Sequence, residues 1–154
     1  MKKKVVIIED NELLNKVFCE VITRSKKFIL KNSYFDAESA IENFKNDVPD
    51  IILMDIELPN MNGIQCTKEL KKIRPKTIII MVTVYENSDI VFEALCAGAS
   101  GYLTKNATSN KLISALEEAS SGGAPMSINI AKMVVQSFQK APESILTERE
   151  TEVL

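Results

Sequence analysis

Val5-Val6-Ile7-Ile8-Glu9-Asp10 and Ile51-Ile52-Leu53-Met54-Asp55 are two unbroken apolar runs that each end in acid. A strand with one wet face alternates apolar and polar residues, and these runs contain no polar member, so both of their faces need cover. A parallel sheet flanked by helices supplies that cover. In open sheets of this kind the ligand crevice lies beyond the carboxyl ends of the strands, where the winding reverses. Glu9, Asp10 and Asp55 are therefore expected together in such a crevice. Three neighbouring carboxylates repel one another and need shared protons or a divalent cation. Oxygen ligands without histidine or cysteine point to Mg²⁺ rather than zinc. One acid at a strand end commonly caps the next helix; the same chemistry at two strand ends favours a site.

Composition narrows the class. The 154 residues are 45% hydrophobic and 26% charged, which suits one domain with a full core and a short extension. A net charge of −2 offers no bulk attraction for nucleic acid or anionic membrane. Lys2-Lys3-Lys4 before four aliphatics imitates a signal peptide, but Glu9 and Asp10 end the run short of a secretory core. No stretch is long enough to span a bilayer, and the expected location is the cytoplasm. Cys19, Cys66 and Cys96 are odd in number and widely spaced, so they read as buried hydrophobes in a reducing compartment. Histidine is absent, which excludes a histidine base, ligand or phosphoacceptor within the chain.

Strand and helix signals alternate along the chain. Leu14, Val17, Phe18, Val21 and Ile22 follow the first strand at helical spacing. Phe28 to Lys31 reads as a short second strand, and Asp36 caps a helix that Pro49 terminates. After the third strand comes the turn-rich Leu58-Pro59-Asn60-Met61-Asn62-Gly63, then a helix from about Ile64 to Ile73. Thr77 to Val82 is a fourth strand. A helix over Ser88 to Ala97 is closed by Gly98 in the left-handed conformation. Gly101 to Thr104 is the fifth strand, and a helix capped by Thr108 or Ser109 runs to Gly122-Gly123. Such alternation means βαβ units with right-handed crossovers and a parallel sheet with helices on both faces. Two segments follow from this: a domain over 1–122 and, past the break in the pattern, a linker over 123–145 that Ile128 to Phe138 can make helical.

Asp55 is the candidate nucleophile, since a carboxylate attacking phosphorus gives an acyl phosphate. Asp10 would hold the metal, Glu9 would add charge and a water-mediated contact, and the backbone carbonyl of Glu57 could complete the shell. Thr83 stands directly after the fourth strand with its hydroxyl in reach of the crevice; alone it would read as a strand residue or a cap. Lys105 follows the fifth strand and offers a compact counter-charge for carboxylates and phosphoryl oxygens. Together these groups occupy the ends of strands one, three, four and five.

With those residues in place, the chain resembles the receiver domain of two-component response regulators. The motifs are Ile8-Glu9-Asp10-Asn11, Met54-Asp55-Ile56-Glu57-Leu58-Pro59-Asn60-Met61-Asn62-Gly63, Thr83, Lys105 and Ala97-Gly98-Ala99-Ser100-Gly101-Tyr102-Leu103. The resemblance covers about residues 3 to 122. It implies a flavodoxin-like, five-stranded, doubly wound sheet of order 2-1-3-4-5, with Asp55 as the phosphorylation site. It also implies Mg²⁺ on Glu9, Asp10, Asp55 and the Glu57 carbonyl, with Thr83 and Lys105 on the phosphoryl group. Tyr102 would be the switch aromatic that turns inward as Thr83 moves; an ordinary core aromatic is the competing reading.

Two departures matter. Asn106 stands where the family often has a cis proline, so a trans bond is expected. Val84 stands where alanine is common, which bears on access of water or donor. The first departure and Ser120-Ser121-Gly122-Gly123 are similar to the NarL/FixJ branch. Leu146-Thr147-Glu148-Arg149-Glu150-Thr151-Glu152-Val153-Leu154 resembles the opening of a LuxR-type helix-turn-helix domain, with Thr147 and Glu150 as a capping box. The chain as written is then expected to lack a recognition helix and not to bind DNA specifically.

These readings describe a phosphorylation switch. A histidine kinase or a small acyl phosphate is the donor, homodimerisation follows, and DNA is reached only through a further C-terminal domain. No membrane partner is expected, and no turnover beyond self-phosphorylation and self-hydrolysis. The alternatives are a small haloacid-dehalogenase-like phosphatase, in which Asp55 and Glu57 would be the paired acids, and a stand-alone receiver that acts by protein binding. A flavodoxin-like cofactor protein fits less well, because no Ser/Thr-rich phosphate loop follows the first strand.

Overall fold

The two apolar runs lie side by side as β1 (Lys3–Ile8) and β3 (Ile51–Met54) at the centre of a five-stranded sheet. The coordinates are a computed structural model that describes residues 2–138. The remaining elements are α1 (Glu12–Ser25), β2 (Phe28–Tyr34), α2 (Ala37–Asp47), α3 (Gly63–Ile73), β4 (Ile78–Thr83), α4 (Ser88–Ala97), β5 (Gly101–Thr104) and α5 (Ser109–Ser120). A sixth helix, α6, is described over 128–138. All strand pairs are parallel and the order is β2-β1-β3-β4-β5, as the resemblance implies.

Alternate side chains of the central strands fill two cores. Val6, Ile8, Ile52, Met54, Ile79 and Met81 face α2, α3 and α4. Val5, Ile7, Ile51, Leu53, Ile80 and Val82 face α1 and α5. Each such side chain withdrawn from water contributes about 1.5–3 kcal/mol, which is why runs with no polar member are stable only here.

Register then positions the strand ends. Ile8 pairs with Met54 and the Asp55 N–H donates to the Ile8 carbonyl (3.0 Å), so Glu9 and Asp55 emerge together. Thr83 pairs with Thr104, and the Lys105 N–H donates to the Thr83 carbonyl (3.0 Å). Helix starts are fixed by side chains that accept from otherwise unpaired N–H groups. Asn11, Asp36, Asn87 and Thr108 do so, and Asn62 with Gln65 forms a full capping box. Gly98 closes α4 at φ 117°, the left-handed geometry predicted for it.

The structure differs from the sequence reading in several places. β2 extends to Tyr34, beyond the predicted Lys31, because it is an edge strand whose last residues need no apolar cover. A register shift falls between Val5 and Val6, where Leu30 and Asn32 are the successive partners and Lys31 is passed over. Thr83 is the last residue of β4 rather than the first after it. In α1 the buried residues are Asn15, Phe18 and Ile22, while Val17 is exposed. The reading of all three cysteines as buried is corrected. Cys66 is buried and Cys19 half-buried, but Cys96 is exposed, because Val91, Ala94 and Ala97 take the inward positions of α4 at three-residue spacing. All three are free thiols. The linker stretch Lys140 to Ser144 and the motif Leu146 to Leu154 lie outside the described residues.

Candidate functional site

The carboxyl edge of the sheet gathers the strand-end groups into one acidic cleft. Glu9 and Asp55 are nearly sealed, at 1% and 2% exposure, while Asp10 is open to solvent. Carboxylate oxygens of Glu9, Asp10 and Asp55 all lie within 4.8 Å of one another. Lys105 reaches in from the end of β5. Its Nζ donates to Asp55 Oδ2 at 3.0 Å and makes an ion contact with Glu9 Oε1 at 2.9 Å.

Burying carboxylates this close has an electrostatic consequence. Burial pushes Glu9 up to about 7; the Lys105 ammonium and the Asn11 N–H oppose that rise, and the neighbouring Asp55 reinforces it. Burial alone would lower Lys105, but its hydrogen bonds and charge contacts with Glu9 and Asp55 outweigh burial and raise it. The ammonium therefore stays charged at neutral pH, while burial favours the protonated form of Glu9. Three carboxylates face one ammonium, more acid than a single lysine can balance. An all-oxygen donor set in that condition fits a hard divalent cation.

The remaining predicted residues surround this core. The Thr83 side chain is buried, and its Oγ1 has no hydrogen-bond partner among the described residues. An orphaned buried hydroxyl costs about 1–3 kcal/mol, which calls for an explanation at a site. The Glu57 N–H lies 3.4 Å from Asp55 Oδ1, and the Glu57 side chain points into solvent outside the acidic trio. Paired acids of the phosphatase kind are thus not formed by Asp55 and Glu57. Tyr102 is fully buried, and its hydroxyl donates to the Tyr85 carbonyl at 2.8 Å. Burial, with the charges of Glu86 and Asp55 nearby, raises that phenol. The Asn106 side chain bonds the Thr104 hydroxyl, and no described peptide bond is cis, as expected without proline. Val84 is 62% exposed beside Thr83, free of the core.

One positioning residue escaped the sequence reading. Asn15 is buried on the inner face of α1 and donates from Nδ2 to the Glu9 carbonyl (2.9 Å) and the Tyr34 carbonyl (3.1 Å). It ties β1, β2 and α1 together directly under Glu9. A polar residue within the apolar stripe Leu14, Phe18 and Ile22 was the available signal. Gly63 is the other. Its N–H donates to the Ile56 carbonyl (2.8 Å), and a Cβ there would stand 2.0 Å from the Asp55 carbonyl oxygen.

The chain is similar to known proteins in sequence and fold. The family model for the response regulator receiver domain matches residues 5–117. The transcriptional regulatory protein YxjL of Bacillus subtilis is 30% identical over 161 residues, spanning 99% of this chain and 74% of that one. The chemotaxis protein CheY of Thermotoga maritima is 32% identical over 120 residues, 78% of this chain and 99% of that one. A crystal structure of a LuxR-family two-component response regulator from Aurantimonas superposes with a TM-score of 0.85 at 26% identity, covering 91% of this chain and all of that one. No helix among the described residues is long and apolar enough to cross a membrane. With its fold, its motif order and these relatives in agreement, the chain belongs to the response regulator receiver domain family, the phosphoacceptor modules of two-component signalling.

Proposed function

We propose that Asp55 is the phosphoacceptor and that Glu9, Asp10 and Asp55, with the Glu57 carbonyl, hold Mg²⁺. The observation that carries this reading is the buried Asp55 carboxylate, bridged by Lys105 to Glu9 and set within ligand distance of Asp10. An Asp55 oxygen attacks the phosphorus of a kinase phosphohistidine or of a small acyl phosphate. The bond from phosphorus to the donor nitrogen or oxygen breaks, and the leaving group keeps the electron pair. Bound Mg²⁺ would neutralise the acidic cluster and draw charge from the phosphoryl oxygens. Lys105, already 3.0 Å from Asp55 Oδ2, is placed to pair with those oxygens after transfer. The Thr83 hydroxyl, which has no hydrogen-bond partner among the described residues, would donate to one of them.

The response follows from differential contact. A conformation that brings Thr83 and Lys105 onto the phosphoryl group is favoured only when that group is present. Tyr102, one strand outward and bonded to the β4–α4 loop, would report the change. Residues 1–122 are the receiver and 123–145 the connection to an output region that begins at 146. The transcriptional names of its relatives support promoter binding as the output of a longer protein, and homodimerisation would fall between the two events.

The test is incubation with acetyl phosphate and Mg²⁺ followed by intact-mass measurement. A single added phosphoryl group that disappears when the metal is chelated is expected. Continuous release of phosphate from an ester substrate, with no stable adduct, would contradict the reading.

A further inference from the structure

The outer edge of β5 is an edge strand, and its backbone groups would ordinarily be left for solvent or for another chain. Here the chain covers that edge with its own residues. The Tyr102 N–H donates to the Pro125 carbonyl (2.9 Å), the Ser127 N–H donates to the Tyr102 carbonyl (3.1 Å), and the Thr104 N–H donates to Ser127 Oγ (3.0 Å). Tyr102 and Met126 form a parallel bridge. From there α6 turns back, and Ile130 is fully buried in the same core cluster as Tyr102, with Met133 and Val134 packed against it. Gly101 belongs to the same arrangement. A Cβ at that position would lie 2.6 Å from the Pro125 carbonyl oxygen and 2.8 Å from Pro125 Cγ, so only glycine lets the segment approach.

We propose that residues 124–134 are a strap that docks only while Tyr102 is turned inward, so that phosphorylation of Asp55 tightens the strap and a docked strap favours the phosphorylated receiver. The inference rests on the phosphoacceptor reading above. Its basis is that Tyr102 is pinned between two attachments. Its hydroxyl is held by the Tyr85 carbonyl on the site side, and its backbone is held by Pro125 and Ser127 on the outer side. Ile130 shares a core cluster with the ring, and Met126 packs against that cluster and bridges the Tyr102 backbone, so a ring that left the Tyr85 carbonyl would disturb the packing of both. The strap and the inward ring therefore stand or fall together. Three residues further along, the end of the strand delivers Lys105 to Asp55 and ties its N–H to the Thr83 carbonyl. Coupling between such sites is reciprocal, because whatever the phosphoryl group does for the strap, the strap does for the phosphoryl group. The strap would then be the first element after the receiver to carry its state toward the residues beyond α6.

The experiment uses the whole chain and beryllofluoride with Mg²⁺ as the phosphoryl probe. Hydrogen exchange at 126–134 should slow several-fold when the probe binds. Gly101→Ala, whose Cβ would have its three nearest contacts all in Pro125, should speed that exchange and weaken beryllofluoride binding about tenfold, within the usual range of coupling between sites. Ile130→Ala should shift both readouts in the same direction. Tight probe binding with unchanged strap exchange would overturn the strap and leave the phosphoacceptor reading intact. So would wild-type affinity in a variant whose strap exchanges freely. Unchanged strap exchange in both variants would show that the segment is not attached through Pro125 and Ile130. No probe binding to the unaltered chain would overturn the phosphoacceptor reading, and the strap with it.

Discussion

Glu9 is where the chemistry of the cleft meets the stability of the fold. Its carboxyl is held at about 7 against an ordinary value of 4.5, chiefly by burial. The native protein therefore keeps a proton that the unfolded chain releases, and stability from this group is full below pH 4.5 and lost as pH rises through about 7. Metal-free protein should be less stable at pH 8 than at pH 5, by about 1–3 kcal/mol. Glu9→Gln should remove most of that slope; urea denaturation at the two pH values measures both. Thr83 predicts the opposite pattern. Thr83→Val replaces an orphaned hydroxyl with a methyl, so unphosphorylated stability should be unchanged or improved while the phosphorylation-linked shift of Tyr102 by NMR is weakened. Val84, exposed beside the cleft, should hinder the attacking water, so phosphorylated Val84→Ala should hydrolyse faster; equal decay would contradict the steric account. The acids, Thr83 and Lys105 were readable because each ends a strand that declares itself. Asn15 was not, because its value lies in two carbonyls brought together by β1 and β2, which one helix's periodicity does not reveal.

At the scale of elements, the β3–α3 loop is the tightest joint. Gly63 is needed for space rather than for an unusual φ, since an added Cβ would collide with backbone at Asp55 and Ile56. Gly63→Ala should destabilise the fold by about 1–3 kcal/mol or more and displace the Asp55 backbone. Chemical denaturation together with loss of phosphorylation measures the two effects; a variant of normal stability would mean the loop is slacker than described. Central strands were legible because short, continuous apolar runs bounded by turn signals have few alternatives. β2 was only half legible, because its polar end sits at a sheet edge and carries no apolar signature. The segment after Gly123 reads as a linker with a helical stretch. Its packing is set by Gly101, Pro125 and Ile130 jointly, and no local pattern announces that β5 has an edge to fill.

For the molecule as a whole, the alternation of elements and the right-handed crossover rule leave few topologies, and the motif order selects the one observed. The site then follows from register, since pairing Ile8 with Met54, Met54 with Met81 and Thr83 with Thr104 brings residues from four strands to one edge. A ligand that binds only this folded edge should stabilise the entire domain. Beryllofluoride with Mg²⁺ at a hundred times its dissociation constant should add about 2.7 kcal/mol, seen as a higher melting temperature that Asp55→Asn abolishes. The central claim, that Asp55 is the phosphoacceptor, is tested most directly by trapping. The chain is phosphorylated with acetyl phosphate and Mg²⁺, reduced with borohydride and mapped by peptide mass spectrometry. Homoserine at position 55, lost on chelation and in Asp55→Asn, is the expected result. Homoserine at another aspartate, or undiminished phosphorylation of Asp55→Asn, would contradict it.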